Sequence, residues 1–484
     1  MVFRCHPPIT PQTQVIMSTG SGRIELEGLL SLINSATHDA MAIYENSGHG
    51  VPSVHSATTH PLDAEATTLS LRKAIRTLEG ACEQLCTTLA PPNHTLLNRS
   101  MVHFYPTAMR VVVEARIPDM LIGKPQGLSV SELAQKSNLE ARKLRKILRA
   151  LATRHIFREV RPDVYSNNRL SLTLVDSPAA DLLLLMTGMV REASFSLPDT
   201  LTDSQFGPSS DPSKSAFMYH HKDKGLNGTL FEYLHANPDV SKRFGSGMVG
   251  WAKLTDNASL VQDFPWNDMP AGTTFCDVGG GIGSVSMALV KAHPHLKVTL
   301  QDLPNVIEQA SEFWAKECPH AVQEQRVDFV AVDFMKEGPV KDHNVYYIRH
   351  VIHDWPDASS VVILKNIRQA MNANSRLFIH EYILQAVTDE TSVGAMNTAL
   401  APKPLLPNYG AGNMRRMVSR SFSFHGCPYY PSDPDYNQDL NMLCMMNAGE
   451  RSLDEFIALG AQAGLEFVQL WDFAENAMVE FKPV

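Results

Sequence analysis

The sequence predicts an α/β chain: a doubly wound parallel sheet in the C-terminal half, with a helical unit of winged-helix type ahead of it. Three observations carry that expectation. From about residue 266 onward, short β-rich runs alternate with helical stretches. One strand ends at Asp277 and runs into three consecutive glycines and then a helix. Further upstream, residues 105–175 read as helix, turn, helix and two short extended runs.

The 484 residues suffice for two or three domains, and 44% hydrophobic with 19% charged residues is a globular composition. The formal charge of −9 argues against a general nucleic-acid binder, which carries a basic excess. Seven scattered cysteines, with Cys82 and Cys86 the only close pair, read as reduced thiols in a cytoplasmic protein. The start of the chain lacks the apolar core of a secretory signal. The longest apolar stretch, Leu182 to Val190, is too short to cross a bilayer, so no membrane partner is expected.

Residues 1–22 are polar and rich in Pro, Ser and Thr, and read as disordered. Two helical patterns follow, one through Ile24, Leu26, Leu29, Leu30 and Ile33, the other through Leu69, Leu71, Ile75, Leu78 and Leu85. Such helices ahead of a larger domain cover something, and a partner subunit is the expectation. Ala108 to Leu121 reads as one amphipathic helix. Ser129 with Glu132 is a capping box that starts SVSELAQKS, and EARKLRKILRALATRH follows. That helix is basic at Arg142, Lys143, Arg145, Lys146 and Arg149. Leu144, Ile147, Leu148 and Leu151 give it an apolar face, so the charges read as a solvated surface rather than a DNA reader. The expected divisions are thus 23–177 for the helical and winged-helix domain, 178–265 for a helical connector, and 266–484 for the sheet domain.

The strongest chemical signal is FCDVGGGIGSVSMAL, residues 275–289. Glycine admits a tight turn and close approach of a ligand, but nucleotide, nicotinamide and methionine-derived cofactors share this feature. Two acids sharpen it. Asp302 ends the second strand, where a carboxylate can accept two ribose hydroxyls; Asp333 ends the third, with Phe334 beside it for an adenine. Asp277 would repel a pyrophosphate, whereas S-adenosylmethionine is cationic at its amino and sulfonium groups. A methyl donor is therefore preferred over a dinucleotide.

The second constellation is RHVIHDWPD, residues 349–357, at the end of the fourth strand. His353 there is placed as a general base for a phenolic hydroxyl, with Glu381 and Glu450 as carboxylates to orient it. His350 and His353 also stand one helical turn apart, as metal ligands can. Apart from Asp354, nothing at ligand spacing completes the set, so no metal is expected.

Taken as an ordered set, DVGGGIG, Asp302-Leu303-Pro304, Asp333-Phe334, His353-Asp354-Trp355, Glu381 and AGERSLDEF resemble the plant-type O-methyltransferases, and more closely their fungal secondary-metabolism branch of the sterigmatocystin O-methyltransferase kind. The resemblance spans about Arg23 to the C-terminus. It implies a Rossmann-like methyltransferase sheet with an N-terminal winged-helix dimerisation domain, a homodimer, and S-adenosylmethionine as co-substrate. It further implies that Gly279 and Gly280 contact the donor, Asp302 its ribose, and Asp333 with Phe334 its adenine. Arg349 stands where plant members carry lysine, which keeps the charge and changes the geometry. His353 would be the base, flanked by Glu381 and Glu450. The acceptor would be a small, hydroxylated, aromatic molecule of polyketide type, held by connector residues around Met248 and Trp251 and by positions near Met445. One stretch departs from the family pattern: residues 416–435, read as a lid, a neutral insertion, or a translated intron, since Val418-Ser419 can be encoded by GTAAGT. The competing readings are a non-catalytic winged-helix regulator that binds the donor as a ligand, and a nicotinamide oxidoreductase.

Overall fold

The structure is a computed structural model that describes residues 21–64, 68–226, 228–254, 257–384, 434–473 and 476–484. The expectations for residues 1–20 and for nearly all of the 416–435 stretch lie outside the described residues.

Helices Ser21–Asn46 and Leu69–Leu89 pack together through Ala40, Tyr44, Leu71 and Ala74. Part of what they cover is this same chain. Lys73 Nζ lies 2.6 Å from Asp472 Oδ2, and Arg72 donates to the Phe473 carbonyl. Asp63 is paired with Arg169 next to the winged unit.

In that unit Ala108–Leu121 is not one helix. Helix Phe104–Glu114 stops, Arg116 turns left-handed (φ 54°), and a short helix Ile117–Met120 follows. Pro118 explains the break, because it has no N–H to donate to Glu114 and its ring clashes with the preceding turn. The reversal buries Ile117 with Leu133, Leu144 and Leu148. Ser129 and Glu132 form the expected capping box on helix Val130–Ser137. Helix Ala141–Ala152 buries Leu144, Leu148 and Leu151 and leaves its five basic side chains exposed. Strand β1 (Leu128–Ser129) pairs antiparallel with β3 (Val164–Ser166), which pairs antiparallel with β2 (Arg158–Arg161) to form the wing.

The C-terminal sheet has seven strands: β4 (Thr274–Val278), β5 (Lys297–Asp302), β6 (Val327–Ala331), β7 (Val345–Arg349), β8 (Arg376–Glu381), β11 (Leu465–Asp472) and β12 (Ala477–Pro483). Their order is β11-β12-β8-β7-β4-β5-β6. The first five in sequence run parallel, and β12 lies antiparallel to both β8 and β11. Separate from it, β9 (Ile383–Leu384) pairs in parallel with β10 (Arg451–Ser452). The chain moves from β4 outward to β6 and then returns to β7 on the other side of β4. The crevice at the carboxyl ends of β4 and β7 is thus the switch point at which such sheets bind ligands. Two apolar layers cover the faces, one centred on Ile348, Ile363, Leu364 and Phe456, the other on Leu289, Trp314, Tyr347 and Phe378. Among the described residues no helix is long and apolar enough to cross a membrane.

Candidate active site

The glycine turn is set by the strand beneath it. Gly279 has φ 71°, and a Cβ there would stand 3.0 Å from Val351 Cγ2 and 3.2 Å from Phe334 Cε1. A Cβ on Gly280 would instead meet Asp277 Cγ and Leu300 Cδ1 at 2.5 Å. Glycine at 280 is thus required by the protein below the turn. The amides of Gly279 and Gly280 both donate to the Gln301 carbonyl, at 2.8 and 3.2 Å.

Asp277 does not play the part its sequence position implied. It is buried and takes a hydrogen bond from Ser286 in the helix that follows the turn. Burial pushes its carboxyl up to about 7, with Asp302 adding to the rise and Ser286 and Arg349 opposing it. Held near 7, Asp277 would repel a pyrophosphate less than an ordinary carboxylate does. Asp302 Oδ2 accepts from the Gly281 amide (2.9 Å) and Oδ1 from the Leu303 amide (2.7 Å), which fixes its carboxylate at the strand tip. Burial still holds it above the ordinary carboxyl range. Asp333 accepts from the Met335 amide and pairs with the exposed Lys336 at 2.7 Å. Phe334 meets Trp355 edge-on, with ring centroids 6.2 Å apart.

At the tips of β7 and β8 the charges gather. His353 is buried, and its Nδ1 lies 2.7 Å from Glu450 Oε1 and 3.3 Å from Glu381 Oε2. Its Nε2 lies 3.6 Å from Asp354 Oδ1. Glu381 also accepts from the Val351 and Ile352 amides through Oε1, each at 3.0 Å, so it holds the turn that carries His353. Burial alone would lower the histidine, but Glu381, Glu450 and Asp354 outweigh it and push His353 up to about 10. One imidazolium cannot offset every acid around it. Glu381 resists burial through His353, His350 and the backbone amides, and is held low. Glu450, with burial and Glu381 against it, is raised, and burial lifts Asp354 to about 7.

Arg349 ends β7 beneath this cluster, and its charge helps to lower His350 and His380. His350 follows with a left-handed backbone (φ 50°) and stacks on His353, centroids 5.2 Å apart. Burial brings it down to about 4. Sequence spacing offered only Asp354 beside the His350–His353 pair; the fold supplies Glu381, 3.4 Å from His350 Nδ1.

Two positioning groups were not singled out from the sequence. Arg451 donates to the carbonyls of Ile352 (2.9 Å) and Trp355 (2.7 Å) and pairs with Asp357, so it holds the His353 turn by its carbonyls where Glu381 holds it by its amides. Asp439 accepts from the Glu450 amide at 2.9 Å. The signal of Arg451 was present in AGERSLDEF, but as part of a motif rather than as a side chain with partners.

On the acceptor side Met445 is buried with Met442, Met446, Phe217 and Met218. Met248 and Trp251 are half-buried on helix Pro238–Leu254; the residues that this helix sends into that cluster are Val240 and Phe244.

Comparison with known proteins agrees with this architecture. Residues 98–177 match the O-methyltransferase dimerisation domain, and residues 211–402 match the O-methyltransferase domain. A 3-O-methyltransferase 2 of Phanerochaete chrysosporium is 42% identical over 460 residues, covering 94% of this chain and 97% of the relative. Sterigmatocystin 8-O-methyltransferase of Aspergillus parasiticus is 30% identical over 65% of this chain and 72% of its own length. Among solved structures, one described as a pericyclic reaction enzyme shares the fold, with TM-score 0.65 and 21% identity over 85% of this chain and 94% of its own. With its dimerisation domain, its parallel sheet and a 42%-identical relative matched along 97% of its length, this chain belongs to the S-adenosylmethionine-dependent O-methyltransferases, in the fungal secondary-metabolism branch of the plant-type class.

Proposed function

We propose that the chain methylates a phenolic hydroxyl of a small aromatic metabolite of polyketide type, with His353 as general base. The observation that carries this reading is the His353 Nδ1–Glu450 Oε1 contact of 2.7 Å. A carboxylate on Nδ1 leaves Nε2 to meet the acceptor hydroxyl.

The donor fits the crevice on two counts. The Asp302 carboxylate is held at the strand tip by two amides and keeps lone pairs for ribose hydroxyls. Gly279 leaves open the space under Phe334 and Val351 that a Cβ would crowd. Because the Gly279 and Gly280 amides are already engaged, those residues would meet the donor through carbonyl oxygens and Cα faces. Asp333 would turn from Lys336 towards the adenine, with Phe334 on its face, and Arg349 would add charge beneath. When bound, S-adenosylmethionine supplies an electrophilic methyl group. His353 removes the hydroxyl proton, Glu450 and Glu381 hold the imidazole through the transfer, and the apolar cluster around Met445 excludes water.

The reading of domain roles follows: residues 23–177 dimerise, 178–265 help to form the acceptor pocket, and 266–484 bind the donor. A homodimer is supported by helix Pro92–Ser100, which buries none of its residues, and by exposed Leu96, Leu97, Met101, Val102 and Phe104 beside it. A cytoplasmic location, no resident metal and no nucleic-acid or membrane partner complete the proposal.

Purified protein incubated with labelled S-adenosylmethionine and a panel of phenolic polyketides and benzoates tests this directly. Methyl ethers should form on a phenolic oxygen. Transfer only to nitrogen or carbon acceptors, or the same rate with His353→Ala, contradicts the proposal.

A further inference from the structure

We propose that His350, His353 and Glu381 form an inhibitory site for a Zn²⁺-like dication, which silences the base by taking its Nδ1 atom. The ligand atoms of the three residues lie within 4.8 Å of one another. Glu381 Oε2 is 3.4 Å from His350 Nδ1 and 3.3 Å from His353 Nδ1. In a tetrahedral zinc site with bonds of about 2.1 Å, neighbouring ligand atoms stand about 3.4 Å apart. Both measured edges match.

Two of the three ligand atoms are also waiting for a partner. Glu381 Oε2 and both His350 ring nitrogens are buried without a well-aligned hydrogen bond. Orphaned buried groups are uncommon in native proteins, and a left-handed backbone at a non-glycine residue is a second cost at the same position. The turn at His350 brings its ring against Tyr382 (centroids 5.3 Å) and over His353, with Nδ1 3.4 Å from Glu381 Oε2.

The chemistry balances. The dication replaces one proton, which leaves His353 Nδ1 for solvent as the metal–nitrogen bond forms. Glu381 and Glu450 supply two negative charges against the two of the metal, and Glu450 Oε1, now 2.7 Å from His353 Nδ1, would open to about 3.4 Å to become a fourth ligand. His353 then carries its remaining proton on Nε2 and cannot accept one from the acceptor. The inhibition rests on His353 being the base; the binding does not.

The test titrates metal-free protein with Zn²⁺ against a chromophoric chelator that suppresses weaker surface sites, for the wild type, His350→Asn and His353→Gln. Asparagine tolerates the left-handed backbone, and unchanged S-adenosylhomocysteine affinity reports a folded chain. The wild type should take one Zn²⁺ per chain, and each variant should bind about 10–100-fold more weakly, the loss typical of removing even a supporting group. Methyl transfer by the wild type should fall in step with filling and return with EDTA. Equal affinity in His350→Asn or in His353→Gln, or a filled site with unchanged turnover, overturns the proposal. If His350→Asn fails to fold, His353→Gln and the visible spectrum of bound Co²⁺ (tetrahedral expected, octahedral contrary) decide it. Should metal-free His353→Gln still turn over at the normal rate, the base assignment falls while the binding result stands.

Discussion

At the tips of β4 and β5 the polar groups answer to the backbone, whereas at the tips of β7 and β8 they answer to one another. Asp302 is held by the amides of Gly281 and Leu303, its near neighbours along the chain or across one strand pair. His353 is held by Glu381 and Glu450, 28 and 97 positions away in the numbering, and Glu381 in turn by two amides of the His353 turn. The first region can be disturbed one residue at a time. The second is a coupled set of buried charges, where removing one member leaves the others unbalanced. On the proposed roles, recognition is local and chemistry is collective.

The largest break in this contrast should come from His353→Gln. Turnover should fall about 10²–10⁴-fold, the usual worth of a positioned base, while calorimetry finds donor affinity nearly unchanged. Asp302→Ala is the mirror case. Donor affinity should weaken about 10–100-fold, the worth of hydrogen bonds to a charged group, with much of the turnover recovered at saturating donor. Equal losses in both parameters for both variants would mean that the two ends do not divide the work.

Glu381→Gln sharpens the collective side, since it keeps the shape but leaves two histidines without their shared charge. It should cost about 1–3 kcal/mol of stability in urea titrations, along with turnover; Asp333→Asn, at a carboxylate paired with an exposed lysine, should cost little stability.

The pH dependence carries a definite sign. The folded-state value of His353 is raised to about 10 from an ordinary 6.5. Its contribution to stability is therefore fully present below about 6.5 and is lost as the pH rises through about 10. Activity runs the other way, because the base must be neutral: kcat/KM for the acceptor should climb with pH through the alkaline range, towards about 10. A profile that is flat above neutrality would show that the carboxylates do not hold the proton. The smallest effect belongs far from both ends. Ser129→Ala should cost about 1 kcal/mol by removing a helix cap, with kinetic constants unchanged.

Much of the fold was legible in the residues. The strand–helix alternation and the glycine turn use patterns complete within a few residues, and the structure has them at those positions. The break at Arg116 was missed because an apolar period continues through Pro118, and periodicity does not register a missing N–H. The site was legible as motifs, less so as partners. Glu381 and Glu450 were named as orienting carboxylates, but that one of them also caps the His353 turn and completes a triad with His350 is a fact about the parallel pairing of β7 and β8. Arg451 was passed over because its partners are backbone carbonyls, which any sequence has, and Asp357, which is far from it along the chain.

Chain order alone was enough to declare a parallel sheet, a glycine turn at its first strand and a histidine near the end of its fourth, because hydrophobic period and backbone permissiveness are local properties. Only the assembled molecule decided which carboxylates share a proton, which acid lies under the turn rather than in the crevice, and how far His353 is driven towards its charged form. Those outcomes depend on burial and on distances across strands, and Coulomb interactions in a dry interior are set by ångströms that no sequence spacing records.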